Sequence, residues 1–307
     1  MKGERSVSTR NDEWISEQFE EQRAYLRSVA YRMLGSLTEA DDALQEAWLR
    51  LSRSDTQAIE NPRAWLTTVV ARVCLNMLRA RRAHGEESLD DDLLAVMPQP
   101  IVTPDDGSDP EHAAEMADSV GLALLVVLQT LGPAERLAFV LHDVFGVSFE
   151  EIATIVDRSP MAARQLATRA RQRIRNSHTQ SDADLAGQRA VVNAFLAASR
   201  DGDFQALLEV LDPDVVLRTD VRTPPAGGLL VLRGAELIAA RAKGFSAHVA
   251  TVRPALVNGA AGLVSWTRGG QRLSIMAFTV RNGKIVAMDV ITSPDRLAAI
   301  DLSGFGA

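Results

Sequence analysis

Hydrophobic residues change their repeat partway along this chain, and no other feature limits its fold as strongly. Up to about residue 176 they recur at helical spacing; from about residue 188 they gather into short β-type runs. In residues 12–82, Tyr25, Val29, Met33 and Leu34 are followed by Leu44, Trp48 and Leu51. Asn61-Pro62 then starts a further helix, with Asn61 as cap and Pro62 at the first helical position. Its apolar residues Trp65, Leu66, Val69, Val70, Val73, Leu75 and Leu78 predict a long, mostly buried helix. Residues 113–176 are helical again, broken at Gly132-Pro133 and Phe145-Gly146. After the change, Val191, Phe195, Leu207, Leu208 and Leu211 suggest two short helices. Strands are expected at 215–219, 229–232, 249–257, 262–266, 273–280 and 285–291, with a helix at 235–245. Asn282-Gly283 predicts a tight hairpin between the last two strands. A chain of 307 residues is too long for one typical core. The expected fold class is therefore multidomain: two all-α helical domains followed by an α+β domain.

Composition sets the boundaries. Residues 12–85 form the first helical domain. In residues 86–112 Glu86, Glu87, Asp90, Asp91 and Asp92 meet no offsetting cation, and Pro98, Pro100, Pro104 and Pro110 break any helix. This is expected to be an extended linker. The second helical domain is expected at 113–177, a short polar linker after it, and the α+β domain at 187–307.

Several classes are excluded or disfavoured. Cys74 is the single cysteine, so an intrachain disulfide and a multi-thiolate zinc site are impossible. No apolar signal segment opens the sequence, and the longest apolar run, near 122–128, is too short to span a bilayer. A cytoplasmic protein without membrane, metal or cofactor is expected. A net charge of −7 argues against nucleic acid as a partner, but the charge is unevenly spread.

The unevenness is sharpest in residues 148–175. Phe149, Ile152, Ala153 and Val156 mark a short helix with Ser148 as cap and Glu151 completing a capping box. Asp157-Arg158 is a brief connection, and Ser159-Pro160 opens a second helix buried through Ala163, Leu166, Ala167, Ala170 and Ile174. Its other face carries Arg164, Gln165, Thr168, Arg169, Arg171, Arg173 and Arg175 with no acid among them. Such a face either stays solvated or takes an anionic partner. A short helix, a turn and a capped basic helix together favour the major groove of duplex DNA.

Longer stretches resemble a known family. Leu131-Gly-Pro-Ala-Glu-Arg, then Phe139-Val-Leu-His-Asp-Val-Phe and Ser148-Phe-Glu-Glu-Ile-Ala, resemble region 4 of extracytoplasmic-function (ECF) RNA polymerase sigma factors. Ala30-Tyr-Arg-Met-Leu-Gly, Ala40-Asp-Asp-Ala-Leu-Gln-Glu-Ala-Trp-Leu-Arg-Leu and Pro62-Arg-Ala-Trp-Leu-Thr-Thr-Val-Val-Ala-Arg are similar to region 2. The last unit resembles a SnoaL-like cone. Met97-Pro-Gln-Pro-Ile and Ser293-Pro-Asp-Arg-Leu resemble two short motifs of the subgroup carrying that extension. A glycine-rich motif expected after Asp220 is matched poorly.

The resemblance implies a transcription-initiation factor, with RNA polymerase core enzyme and promoter DNA as partners. It implies contacts to the −35 element from Arg164, Gln165, Thr168 and Arg169, with Arg171 and Arg173 on phosphates. It places the −10 element on Arg63, Trp65, Arg72, Asn76 and Arg79; Trp65 reads equally well as core. Polymerase binding falls to Asp41, Asp42, Gln45, Glu46, Trp48 and Leu49, of which Asp42, Gln45, Glu46 and Leu49 share one helical face. The last domain is expected to regulate activity through Ser293, Pro294, Asp295, Arg296 and Leu297. An unknown small-molecule ligand or an anti-sigma protein is left open. His248, Asp220, Asp289 and Trp266 could approach a pocket in that domain. Two other readings are a repressor with a sensor domain and a SnoaL-type enzyme fused to a DNA-binding module. A repressor has no use for the region 2 segments, and no paired carboxylates, phosphate loop or metal cluster supports catalysis.

Overall fold

The structure, a computed structural model, describes residues 3–51, 61–85, 97–105, 121–175, 181–182, 184–220, 229–246 and 249–306. In chain order the helices are α1 (Gly3–Leu34), α2 (Leu37–Leu51), α3 (Pro62–Gly85), α4 (Leu122–Gln129), α5 (Pro133–Phe139), α6 (Phe149–Val156) and α7 (Pro160–Arg175). They continue with α8 (Leu185–Asp201), α9 (Phe204–Val210), α10 (Ala235–Ser246) and α11 (Pro294–Ala298). The strands are β1 (Val102–Pro104), β2 (Leu211–Asp220), β3 (Leu229–Arg233), β4 (Thr251–Val257), β5 (Ala260–Trp266), β6 (Arg272–Arg281) and β7 (Lys284–Ile291). The chain divides into two compact units, Met1–Leu89 with Leu131–Arg173 and Asp90–Thr130 with Ile174–Ala307.

The first unit is helical, and both expected helical segments contribute to it. Leu26, Val29, Met33 and Leu34 of α1 are buried, as are Leu44 and Leu51 of α2 and Leu66, Val70 and Leu75 of α3. Each fully buried leucine or valine stabilises the core by roughly 1.5–3 kcal/mol. Asn61 caps α3 as its sequence predicts, its side-chain oxygen accepting from the Ala64 N–H at 3.1 Å. Helix α3 packs on α5 and α6, so helices of the second helical segment pack against those of the first. The buried guanidinium of Arg136 on α5 donates to the Met33 carbonyl at 2.9 Å. Burial pushes that guanidinium well below its usual range. Burial also pushes the Cys74 thiol up to about 12, which leaves it inert as a nucleophile.

The second unit is α+β. Its sheet, seven-stranded among the described residues, runs β1-β4-β5-β6-β7-β2-β3, with β2 and β7 parallel and the other neighbours antiparallel. Helices α8, α9 and α10 supply Val192, Phe195, Leu207 and Ile238 to a core shared with Leu217, Phe278, Met288 and Val290 of the sheet. Strand β7 is buried from Ile285 to Ile291 without alternation, the mark of a strand covered on both faces. Helix α4, apolar on every side, packs against β6 and β7. Asn282 and Gly283 take φ of 52° and 71°, the left-handed pair that a two-residue hairpin requires. Asn258 and Gly259 repeat the device at 50° and 76° between β4 and β5.

Within the segment expected as an extended tether, the described residues are 97–105, and Val102–Pro104 among them join this sheet. Met97, Pro98 and Pro100 are buried. Val102–Pro104 pairs with β4 at the sheet edge, a place where proline removes no needed hydrogen bond. The Ile101 N–H donates to Asn258 Oδ1 at 3.0 Å, and Arg189 pairs with Asp105. The acidic triplet Asp90, Asp91 and Asp92 lies outside the described residues.

Candidate nucleic-acid interface

Residues 148–175 fold as the spacing predicts. Ser148 Oγ accepts from the Glu151 N–H at 3.2 Å, and the Glu151 carboxylate accepts from the Ser148 N–H at 3.1 Å. Asp157 ends α6 in the left-handed region at φ 58°, which turns the chain sharply into α7. Ser159 Oγ then accepts from the Ala162 N–H at 3.2 Å. Ala163, Ala167 and Ala170 of α7 are fully buried. Small residues there let the helix seat closely, which leaves its opposite face standing out.

That face carries Arg164, Gln165, Thr168 and Arg169, all exposed. Arg164 lies over the Phe149 ring with its guanidinium carbon 5.2 Å from the centroid, so one edge of the fork is positioned and the rest faces solvent. Arg169 has no hydrogen bond or ion pair among the described residues. Met161, 73% exposed, stands one turn before Arg164 and Gln165 on the same face. Methionine carries no charge signal in the sequence; its exposure on the first turn of a basic helix is what marks it. Arg171 and Arg173 differ from the other four. Arg171 Nε pairs with Asp143 Oδ1 at 2.6 Å, and Arg173 Nη1 with Glu135 Oε2 at 2.9 Å.

On α3, Asn76 and Arg79 are exposed and Trp65 is half-buried. Arg63 lies over the Tyr25 ring at 4.0 Å. Arg72 Nη2 donates to the Thr154 carbonyl of α6 at 3.0 Å. The face of α3 that bears Arg72 is thus partly covered by the first helix of the helix-turn-helix.

On α2 the six polymerase-facing candidates separate into two groups. Asp41 binds Arg27 through both carboxylate oxygens, at 2.7 and 2.9 Å, and this partner holds its carboxyl below the usual carboxylate range. Trp48 packs on Phe19 with ring centroids 5.3 Å apart. Asp42, Gln45, Glu46 and Leu49 are exposed on one face, Leu49 to 43%. Glu46 also pairs with Arg50 at 2.8 Å.

In the second unit Ser293 occupies the N-cap position of α11 without a side-chain capping bond, Pro294 takes its first position, Asp295 lies in its first turn and Leu297 is buried. Arg296 donates to the carbonyls of Met97 and Pro98, so this turn grips the docked segment directly. Asp220 receives the Thr292 N–H at 2.7 Å, the Thr292 hydroxyl at 2.9 Å and the Ser293 N–H at 3.1 Å. Of the three described residues expected near a pocket, Asp220 lines a cavity of this unit and the other two do not. Asp289 pairs with Arg218 on the other face of the sheet, and Trp266 packs on Phe305. His248 lies outside the described residues.

Comparison with known proteins agrees with this geometry. The sigma-70 region 2 family matches residues 19–84, and the sigma-70 region 4 family matches residues 121–174. The ECF RNA polymerase sigma factor SigJ of Mycobacterium tuberculosis is 38% identical, over 93% of this chain and 94% of its own length. A probable ECF RNA polymerase sigma factor of the same species, SigI, is 34% identical over 92% of this chain and 94% of its own. The crystal structure of M. tuberculosis SigJ matches with a TM-score of 0.70 at 35% identity, covering 94% of this chain and 99% of that one. The chain belongs to the extracytoplasmic-function sigma factors of RNA polymerase.

Proposed function

We propose that this sigma factor acts without catalysis of its own, in the cytoplasm, by binding polymerase core through α2 and reading promoter DNA through α7 and α3. One observation carries the reading: Arg164, Gln165, Thr168 and Arg169 stand exposed together on a helix whose opposite face is fully buried. Arginine and glutamine in that setting recognise guanine and adenine edges bidentately, and Met161 suits a thymine methyl group. Arg171 and Arg173, already paired with Asp143 and Glu135, serve orientation of the helix before they serve phosphate. On α2 the contact is Asp42, Gln45, Glu46 and Leu49, an acidic-polar strip with an apolar edge for a basic partner helix. Asp41 and Trp48 hold that strip in place.

The −10 contacts are proposed for Arg72, Asn76 and Arg79, with Arg63 and Trp65 at the start of α3. The bond from Arg72 to the Thr154 carbonyl supports a closed form, from which α3 and α6 separate when polymerase and promoter are engaged. As functional divisions along the chain we propose residues 12–85, 86–112, 113–177 and 187–307, with α4 contributing to the fold of the second unit. The regulatory contact is Ser293–Leu297 on the Met97-Pro98 carbonyls. Deleting residues 290–307 would strip Ile291, Leu297, Ile300, Leu302 and Phe305 from the core, so Arg296→Ala is the sharper probe.

Run-off transcription tests the reading. Core polymerase supplemented with this chain should start at defined promoters, and Arg296→Ala should change the yield. Core that neither binds the chain nor gains start-site selectivity sinks the proposal.

A further inference from the structure

The second unit encloses a cavity of about 370 Å³ between the sheet and helices α8 and α10. Protein interiors hold few voids larger than a water molecule, and this volume is in the range of small-molecule sites, roughly 300–1,000 Å³. Its walls are apolar, with Phe195, Leu217, Ile238, Met276, Met288 and Val290 prominent among them. Methionines give such a wall freedom to repack around a guest. Leu230, 37% exposed, lies at its open side.

Among the described residues two charged side chains line it, Asp220 and Arg241. Asp220 is committed inward: Thr292 and Ser293 supply it with N–H and O–H donors on both oxygens. It neither offers a free oxygen to a guest nor stands beside a second carboxylate, since Asp289 faces away and is paired with Arg218. An acid–base pair for turnover is therefore lacking among the described lining residues. Arg241 is different. It is exposed on α10, with no hydrogen bond or ion pair among the described residues. A planar fork of donors beside an apolar chamber suits an anionic oxygen head on an apolar body, and a carboxylate is the smallest head that fills it bidentately.

We propose that this cavity binds a small monocarboxylic acid, with its hydrocarbon body between the sheet and α8 and its carboxylate on Arg241. The inference rests on the cavity alone and is read by binding, not by transcription.

Calorimetric titration of the full chain with octanoate, 1-octanol and octylamine tests it. Octanoate should bind saturably at one site, and octanol and octylamine at least tenfold more weakly. Arg241→Gln should weaken octanoate about tenfold, equivalent to about 1.4 kcal/mol, and leave octanol unchanged. Leu230→Trp, placed at the open side where a larger ring is tolerated, should abolish both while thermal unfolding shows the fold intact. Absence of saturable octanoate binding, octanol binding as tight as octanoate, or indifference to both substitutions each overturns the proposal.

Discussion

Arginine is used in two ways in this molecule, and the sheet unit shows the first most clearly. There Arg218, Arg272 and Arg296 are anchored. Arg218 binds Asp289 through two contacts of 2.6 and 2.9 Å, with side chains only 11% and 1% exposed. Arg272 donates to the carbonyls of Leu297 and Ile300 at 2.6 and 2.9 Å, closing the C-terminal end of α11. Arg296 holds Met97 and Pro98. In the helical unit Arg164 and Arg169 are held by no carboxylate among the described residues, although the chain as a whole is acidic. The same side chain stabilises where it is paired and waits for a partner where it is not. A surplus of unpaired cations on one helix of a protein with net charge −7 is thus a local feature that whole-chain charge conceals.

The sharpest way to break this comparison is Arg218→Ala. It leaves the Asp289 carboxylate buried without a partner, and removing one member of a buried pair costs roughly 3–5 kcal/mol. Urea unfolding of the full chain should show a loss of that order. Replacing both partners, with Arg218→Met and Asp289→Leu, should recover most of it. A single-variant loss under about 1 kcal/mol would mean the pair is not a structural anchor.

On α7 the same substitution should do the reverse. Arg169→Ala should weaken binding of holoenzyme to promoter DNA by about 1–3 kcal/mol if it reads a base. Its unfolding free energy should stay within about 0.5 kcal/mol of the parent. Arg164→Ala adds a small stability loss, because the ring contact with Phe149 goes with it. If Arg169 meets only phosphate, the loss is uniform across sequences and the salt slope falls by about one. An Arg169→Ala chain that unfolds early while binding promoter normally would erase the distinction between the two units.

Arg72 sits between these extremes. Its bond to the Thr154 carbonyl is partly exposed, so Arg72→Ala should cost about 1 kcal/mol of stability. Dyes on α3 and α6 should report a wider separation in the free variant than in the parent. An unchanged separation would show that this bond does not hold the closed form.

The local half of this architecture was legible in the sequence. The Ser148–Glu151 capping box, the Asn61-Pro62 start and the Asn282-Gly283 hairpin are short-range devices, and their residues lie within four positions of one another. The resemblance supplied the order of the regions. What escaped was long-range. Asp143 and Glu135 lie 28 and 38 residues from the arginines they pair with, so nothing in the period of α7 distinguishes Arg171 and Arg173 from Arg169. The docking of Met97-Pro-Gln-Pro-Ile depends on Arg296, about two hundred positions away, and its prolines and flanking acids read as a tether. Asn258-Gly259 was a missed local signal; it lies in the gap between the strands expected at 249–257 and 262–266, and its left-handed pair marks a hairpin there as Asn282-Gly283 does.

The smallest expected effect tests whether α2 follows the anchored or the waiting pattern. Asp41 is exposed, but Arg27 holds it through two hydrogen bonds, so it counts with the anchored residues. An exposed pair contributes only about 0.2–1 kcal/mol, reduced further by salt. Asp41→Asn should therefore destabilise slightly at neutral pH and in low salt. The folded-state value of Asp41 lies below its unfolded value of about 3.9. Its contribution is accordingly present above that pH and lost as pH falls through the folded value. Parent and variant unfolding curves should differ at pH 7 and converge as pH falls through the folded value. Asp42→Asn, on the exposed strip, should weaken binding to polymerase core. If Asp41→Asn instead lowered core binding as much as Asp42→Asn, with no change in stability, Asp41 would belong to the interface and its bond to Arg27 would be incidental.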